Sequence, residues 1–191
     1  MTSTFKYFIM YKPYGVLSQR DTKGYKKKIG LDEFYPFPKG VYPVGRLDED
    51  SEGLLLMTSD NKMSIHIRSA KIEKEYWVQV DGIITDEALK KLQSGVTITV
   101  DKIPYQTLQC DAHLLIDEPV LPERFPPSRA GRHRPGSWVS ITLREGKFRQ
   151  VRKMTAAVGF PTLRLVRARI GEMKIIDFKP GDVIELERFV L

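Results

Sequence analysis

Four consecutive apolar residues, Leu54-Leu55-Leu56-Met57, follow an acidic turn in residues 41–60, VYPVGRLDEDSEGLLLMTSD. Successive side chains of a strand point to opposite faces, so an unbroken apolar run reads as a strand buried on both sides. A chain built around such a strand needs a packed layer above it and another below. Residues 5–11, FKYFIMY, carry a second run of this kind and read as another central strand. With 41% hydrophobic residues in 191, the chain has the material for such a core, and dominant disorder is excluded.

The remaining periodicities add short strands and few helices. Lys12-Pro13-Tyr14-Gly15 reads as a turn with proline at its second position. Ser59 or Asp60 caps a helix whose apolar face is Met63, Ile67 and Ala70. Residues 74–81, KEYWVQVD, alternate as a strand. Thr85 caps a second helix, with Ala88, Leu89 and Leu92 inward and Gly95 at its end. Val96, Ile98 and Val100 alternate, and residues 138–143 form another strand. A helix is expected over 148–158, then strands over 162–170, 173–178 and 182–189. Strands outnumber helices and do not alternate regularly with them, which predicts an α+β fold with a mixed, largely antiparallel sheet. No internal repeat occurs, and residues 1–191 are expected to be one domain, or two small lobes sharing a core. Residues 119–136 differ in composition, with five prolines among Arg124, Arg129, Arg132, His133 and Arg134, and read as a long basic loop.

Lysine and arginine exceed aspartate and glutamate by 31 to 24, a net charge of +7 that favours a polyanionic partner. The single cysteine, Cys110, forbids an intramolecular disulfide and fits a reducing compartment. No stretch approaches a membrane span of roughly 18 apolar residues, and the first residues lack a signal peptide's apolar core. A cytoplasmic, soluble, monomeric protein is expected. Phosphate loops, dinucleotide fingerprints, zinc-protease motifs and nucleophile elbows are absent, and His66, His113 and His133 are scattered. The run Asp48–Gly53 opens like a calcium loop, but the twelfth position is Ser59 where a bidentate glutamate is required.

Two features remain. A solvated turn accounts for Glu49 and Asp50 but poorly for Gly45-Arg46-Leu47-Asp48. Leu47 should pin that turn to the core and leave Arg46 and Asp48 projecting together. In the helix expected from Phe148, that residue shares a buried face with Val151, Thr155 and Val158. Arg152 falls about 40° from Phe148, where a guanidinium must snorkel or meet an anion. Asp48 is one candidate anion.

These residues also carry a resemblance. GRLDEDSEGLLLMTSD, residues 45–60, resembles the signature of the RsuA/RluB/RluE/RluF group of pseudouridine synthases. The flanking pieces agree in order: the opening strand with its KP-x-G turn, K-x-Y-x-V at 74–78, EG-x-x-RQVR-x-M at 145–154, and L-R-L-x-R-x-x-IG at 163–171. Ser59-Asp60-Asn61 departs from the group's usual asparagine-aspartate-glycine. Many members carry an S4 RNA-binding domain before the opening strand, which here begins within ten residues of Met1. With the Pro/Arg loop, that makes the chain most similar to the large-subunit rRNA pseudouridine synthase E subgroup.

The resemblance implies a two-lobed sheet with RNA bound across a cleft. It implies detachment of uracil from its ribose, rotation, and reattachment through C5, with no cofactor and no metal. Asp48 takes the role of nucleophile, by attack at C1′ or C6 or through a glycal. Arg152 pairs with it, and Tyr76 lies against the flipped uracil. Arg46 holds the RNA open and Leu165 forms a pocket wall. Arg149, Lys153 and Arg167 are expected to bind RNA, together with the 124–134 loop. The expected partner is ribosomal RNA, large-subunit most of all, free or in a pre-ribosomal particle. The alternative is a non-catalytic rRNA-binding or ribosome-assembly factor on the same fold.

Overall fold

The computed structural model describes residues 5–127, 135–175 and 177–191. In chain order the elements are β1 (Tyr7–Lys12), a 3-10 turn (Leu31–Glu33), β2 (Tyr42–Pro43), β3 (Glu52–Thr58), α1 (Asn61–Arg68), β4 (Lys74–Asp81), α2 (Asp86–Ser94), β5 (Thr97–Val100), β6 (Ile103–Gln106), β7 (Asp111–Leu114), β8 (Gly136–Leu143), α3 (Gln150–Ala157), β9 (Thr162–Ile170), β10 (Met173–Lys174) and β11 (Val183–Leu186). The class is α+β with largely antiparallel pairing. The chain divides into two compact units, residues 1–72 with 167–191, and residues 73–166.

In the first unit β1 pairs with β11 on one side and β3 on the other, and β2 also pairs with β3. Met10 lies opposite Leu55, and Ile9 opposite Leu56. Alternation then sends Phe8, Met10, Leu55 and Met57 into one apolar cluster with Leu31, Phe37 and Val41. Ile9, Leu54 and Leu56 enter another, with Val44, Ile67, Ile170 and Phe189. All seven residues of β3 are buried. The two-sided burial implied by the apolar runs is therefore met by two separate clusters. Asp60 caps α1 by accepting from the Met63 N–H, as one of the two expected candidates. The helix stops at Arg68, so Ala70 falls outside it and is exposed.

In the second unit β8 lies between β4 and β7. β5 and β6 form a separate hairpin. Their inward residues join α2 and α3 around Val78, Val80, Leu92, Val139, Ile141, Val151 and Met154. Thr85 caps α2 by accepting from the Ala88 N–H, and Gly95 follows its last residue, as expected. β4 and β9 have the predicted limits, while β10 and β11 are shorter than the stretches expected at 173–178 and 182–189. Residues 115–127 are irregular, tethered where the Trp138 Nε1–H donates to Glu118 at 3.1 Å and Arg164 donates to the Pro122 carbonyl at 2.8 Å. The rest of the basic loop, residues 128–134 with Arg129, Arg132, His133 and Arg134, lies outside the described residues.

α3 departs from expectation. It begins at Gln150, and Arg149 precedes it in a left-handed conformation, φ 54°. Phe148 is therefore not on its buried face but 61% exposed, with the Lys153 ammonium 5.1 Å from its ring centroid. The inward residues are Gln150, Val151, Met154 and Thr155.

Candidate active site

In the first unit the acidic turn is held by the turn that follows β1. Lys12, at the end of β1, is fully buried and donates from Nζ to the carbonyls of Pro13 at 2.9 Å and Val16 at 2.6 Å. These bonds close residues 12–16 into a compact loop, whose bend places Gly15 at φ 79°, in the region glycine favours. The Gly15 N–H then donates to the Glu49 carbonyl at 2.8 Å. Ser18 Oγ donates to the Leu47 carbonyl at 2.7 Å and accepts from the Leu47 N–H at 3.0 Å. Leu47 is only 5% exposed, and Ser51 and Glu52 are buried. Leu47 is thus the buried residue of the turn, as expected, while Arg46 is exposed and Asp48 half-buried. The Ser51 N–H donates to the Asp48 carbonyl at 3.0 Å, so the turn closes on itself. Lys28 meets Glu49 at 2.7 Å at the surface.

The first unit also buries charge. Burial pushes the Lys12 ammonium down to about 7, against the opposing pull of Glu52, Asp48 and Asp50, while Arg167 adds to the depression. Arg167 was expected at the RNA surface; it is 5% exposed and donates from Nε to the Leu54 carbonyl at 2.7 Å. It thus serves the interior of the first unit.

In the second unit Tyr76 lies on β4 opposite Ile141, half-buried against the apolar cluster. Leu165, 5% exposed, belongs to the same cluster. Arg149, Arg152 and Lys153 are all half-buried at the start of α3. That start is fixed by Glu145 and Gln150. Glu145 accepts from the Tyr105 hydroxyl at 2.5 Å, the Leu108 N–H at 2.8 Å and the Gln150 amide at 2.7 Å. Gln150 in turn accepts from the Lys147 N–H at 2.9 Å. The pair locks residues 145–150, so Arg149, just before α3, and Arg152 and Lys153, in its first turn, are held in defined positions. Among the described residues no group of three or more His, Cys, Asp or Glu converges as a metal site.

Sequence reasoning did not single out Lys12, Ser18, Glu145 or Gln150. Lys12, Glu145 and Gln150 stand inside the matched motifs, and that placement was the available signal. Ser18 carried none.

The model of the RNA pseudouridylate synthase family matches residues 6–157, from β1 through the end of α3. The chain belongs to this family. It is an enzyme of the pseudouridine synthase class, which isomerises uridine in RNA to pseudouridine. It is 44% identical over 183 residues to the ribosomal large subunit pseudouridine synthase E of Vibrio vulnificus, covering 95% of this chain and 75% of that one. It is 42% identical over 174 residues to the protein of the same name in Xanthomonas axonopodis pv. citri, covering 90% and 89%. A crystal structure of a pseudouridylate synthase superposes with a TM-score of 0.75 at 25% identity, covering 95% of this chain and 70% of that one.

Proposed function

We propose that this pseudouridine synthase acts on a uridine of large-subunit ribosomal RNA, with Asp48 as the reacting carboxylate. The reading rests above all on Asp48 itself. It is half-buried on a turn whose residues on either side, Leu47 and Glu49, are hydrogen-bonded to the loop after β1. The names of the two relatives support the choice of RNA.

The chemistry balances without a co-reactant. The bond from C1′ to N1 breaks, a bond from C1′ to C5 forms, the C5 proton leaves, and N1 takes one up. Attack at C1′, attack at C6 and proton removal at C2′ all need Asp48 ionised. In this reading the Arg152 guanidinium pairs with Asp48 and keeps it so. Tyr76 lies against the everted base, with Leu165 behind it from the core. A base inside a helix is out of reach, so eversion costs a few kcal/mol that contacts to the RNA backbone must offset. Arg46, Arg149 and Lys153 supply such contacts, and Arg46 occupies the space the nucleotide leaves. Arg167, being buried, acts through the Leu54 carbonyl and not through phosphate.

The test is to incubate the protein with large-subunit rRNA transcript and with assembling particles, then map pseudouridine by carbodiimide adducts and primer extension. Wild type should modify a defined uridine, and Asp48→Asn should lose turnover while binding RNA within about threefold. Binding with no product from wild type on any rRNA substrate would refute rRNA as the substrate. Product on tRNA alone would refute the choice of RNA.

A further inference from the structure

We infer that Ser18, which none of the motifs quoted above includes, is a positioning residue for Asp48. The inference rests on the reading of Asp48 as the reacting carboxylate. Ser18 Oγ bridges both main-chain groups of Leu47, the residue immediately before Asp48, donating at 2.7 Å and accepting at 3.0 Å. A single hydroxyl so takes the place of a partner strand at that point. One residue beyond Asp48, the Glu49 carbonyl is held by the Gly15 N–H at 2.8 Å. Both clamps come from one seven-residue stretch, residues 12–18, whose own shape is set by Lys12. The Asp48 backbone is thus fixed from both sides by a segment distant in sequence, and the bonds to Leu47 are buried, with Ser18 7% and Leu47 5% exposed.

Burial matters to the argument. An exposed main-chain pair released by mutation is hydrated at little cost, but a buried one must find new partners or move toward water. With an alanine at position 18, the Leu47 N–H and carbonyl both lose their partner, and the turn shifts to recover them. Leu47 anchors the turn, so such a shift is transmitted to the next residue. A carboxylate displaced by about 1 Å from a reacting carbon loses about two orders of magnitude in rate. RNA affinity is shared among several cationic side chains, of which Arg46 alone adjoins Leu47, and should change by no more than about twofold.

The experiment is single-turnover pseudouridine formation with enzyme in excess, reading rate constant and amplitude separately, beside RNA affinity and thermal melting. Ser18→Ala should lower the rate constant at least tenfold, with amplitude and RNA affinity within about twofold of wild type. Ser18→Thr, which keeps the hydroxyl, should recover most of the rate. Should the alanine variant fail to fold, Ser18→Cys, nearly isosteric but a poor hydrogen-bonding group, gives the same reading. A rate constant within twofold of wild type overturns the inference. So does a fall in amplitude with an unchanged rate constant, which would mean a smaller folded fraction and nothing more. Asp48→Asn runs beside them: if it turns over normally, the nucleophile reading has failed; if it is inactive and Ser18→Ala is normal, only the positioning inference has.

Discussion

Lys12 sits at zero exposure at the end of a central strand, in a place where a charged amine is costly. Its Nζ finds two carbonyls, and Glu52, Asp48 and Asp50 oppose the loss of its proton, yet burial dominates and pushes it down to about 7. Its ordinary value is 10.5. Between these two values the folded chain holds fewer protons at Lys12 than the unfolded chain, so stability rises with pH across that window. Below the lower value both states are protonated and the burial penalty acts in full. Wild type should therefore gain stability relative to Lys12→Met by up to about 1.4 kcal/mol per pH unit above neutrality. Urea unfolding of both proteins at pH 7, 8 and 9 reads this directly, and parallel pH dependences would refute it. The lysine was visible in the sequence only as part of a turn. Its charge state follows first from burial and then from charges on β3, β9 and the acidic turn, none of which adjacency in the chain reveals.

At the scale of elements, agreement depends on how much local pattern each one carries. β4 alternates over its eight residues and bears a clear signal, and both it and β9 have the predicted limits. α2 carries a cap, acids in its first turn and a glycine after its last residue, all readable locally. Thr85→Ala should accordingly cost about 1 kcal/mol in chemical denaturation. A loss under about 0.3 kcal/mol would mean that packing of Leu89 and Leu92 alone holds the helix. β7 offered nothing to read, because only Ala112 of its four residues is buried. Its strand state comes from pairing with β8. α3 shows the opposite failure. Helical periodicity runs smoothly through Phe148, but the Glu145–Gln150 hydrogen bond turns the chain before it, and Arg149 takes φ 54°. That contact depends on Tyr105 and Leu108, some forty residues earlier. Periodicity counts apolar faces and carries no record of such a polar lock.

For the molecule as a whole, a charge of +7 and an RNA substrate together predict a salt-dependent encounter. The 119–136 loop holds Arg124, Arg129, Arg132 and Arg134, and its described part carries Phe125 90% and Val120 99% exposed. Replacing the four arginines by glutamine should flatten the plot of log affinity against log salt by about 3, at roughly 0.7 per phosphate contact. Filter binding over a salt series measures it, and an unchanged slope would remove the loop from the RNA footprint. On the same scale, the apolar runs of β1 and β3, the acidic turn and the ordered motifs were enough to establish the class, the family and Asp48 as the residue to test. They suffice because alternation and turn chemistry are properties of neighbouring residues. Tertiary structure alone decided that residues 12–18 brace the turn bearing Asp48, that Arg167 is interior, and where α3 begins. Each of these depends on hydrogen bonds between residues far apart in the chain, from Ser18 to Leu47, Arg167 to Leu54 and Tyr105 to Glu145, and a linear pattern has no term for such bonds.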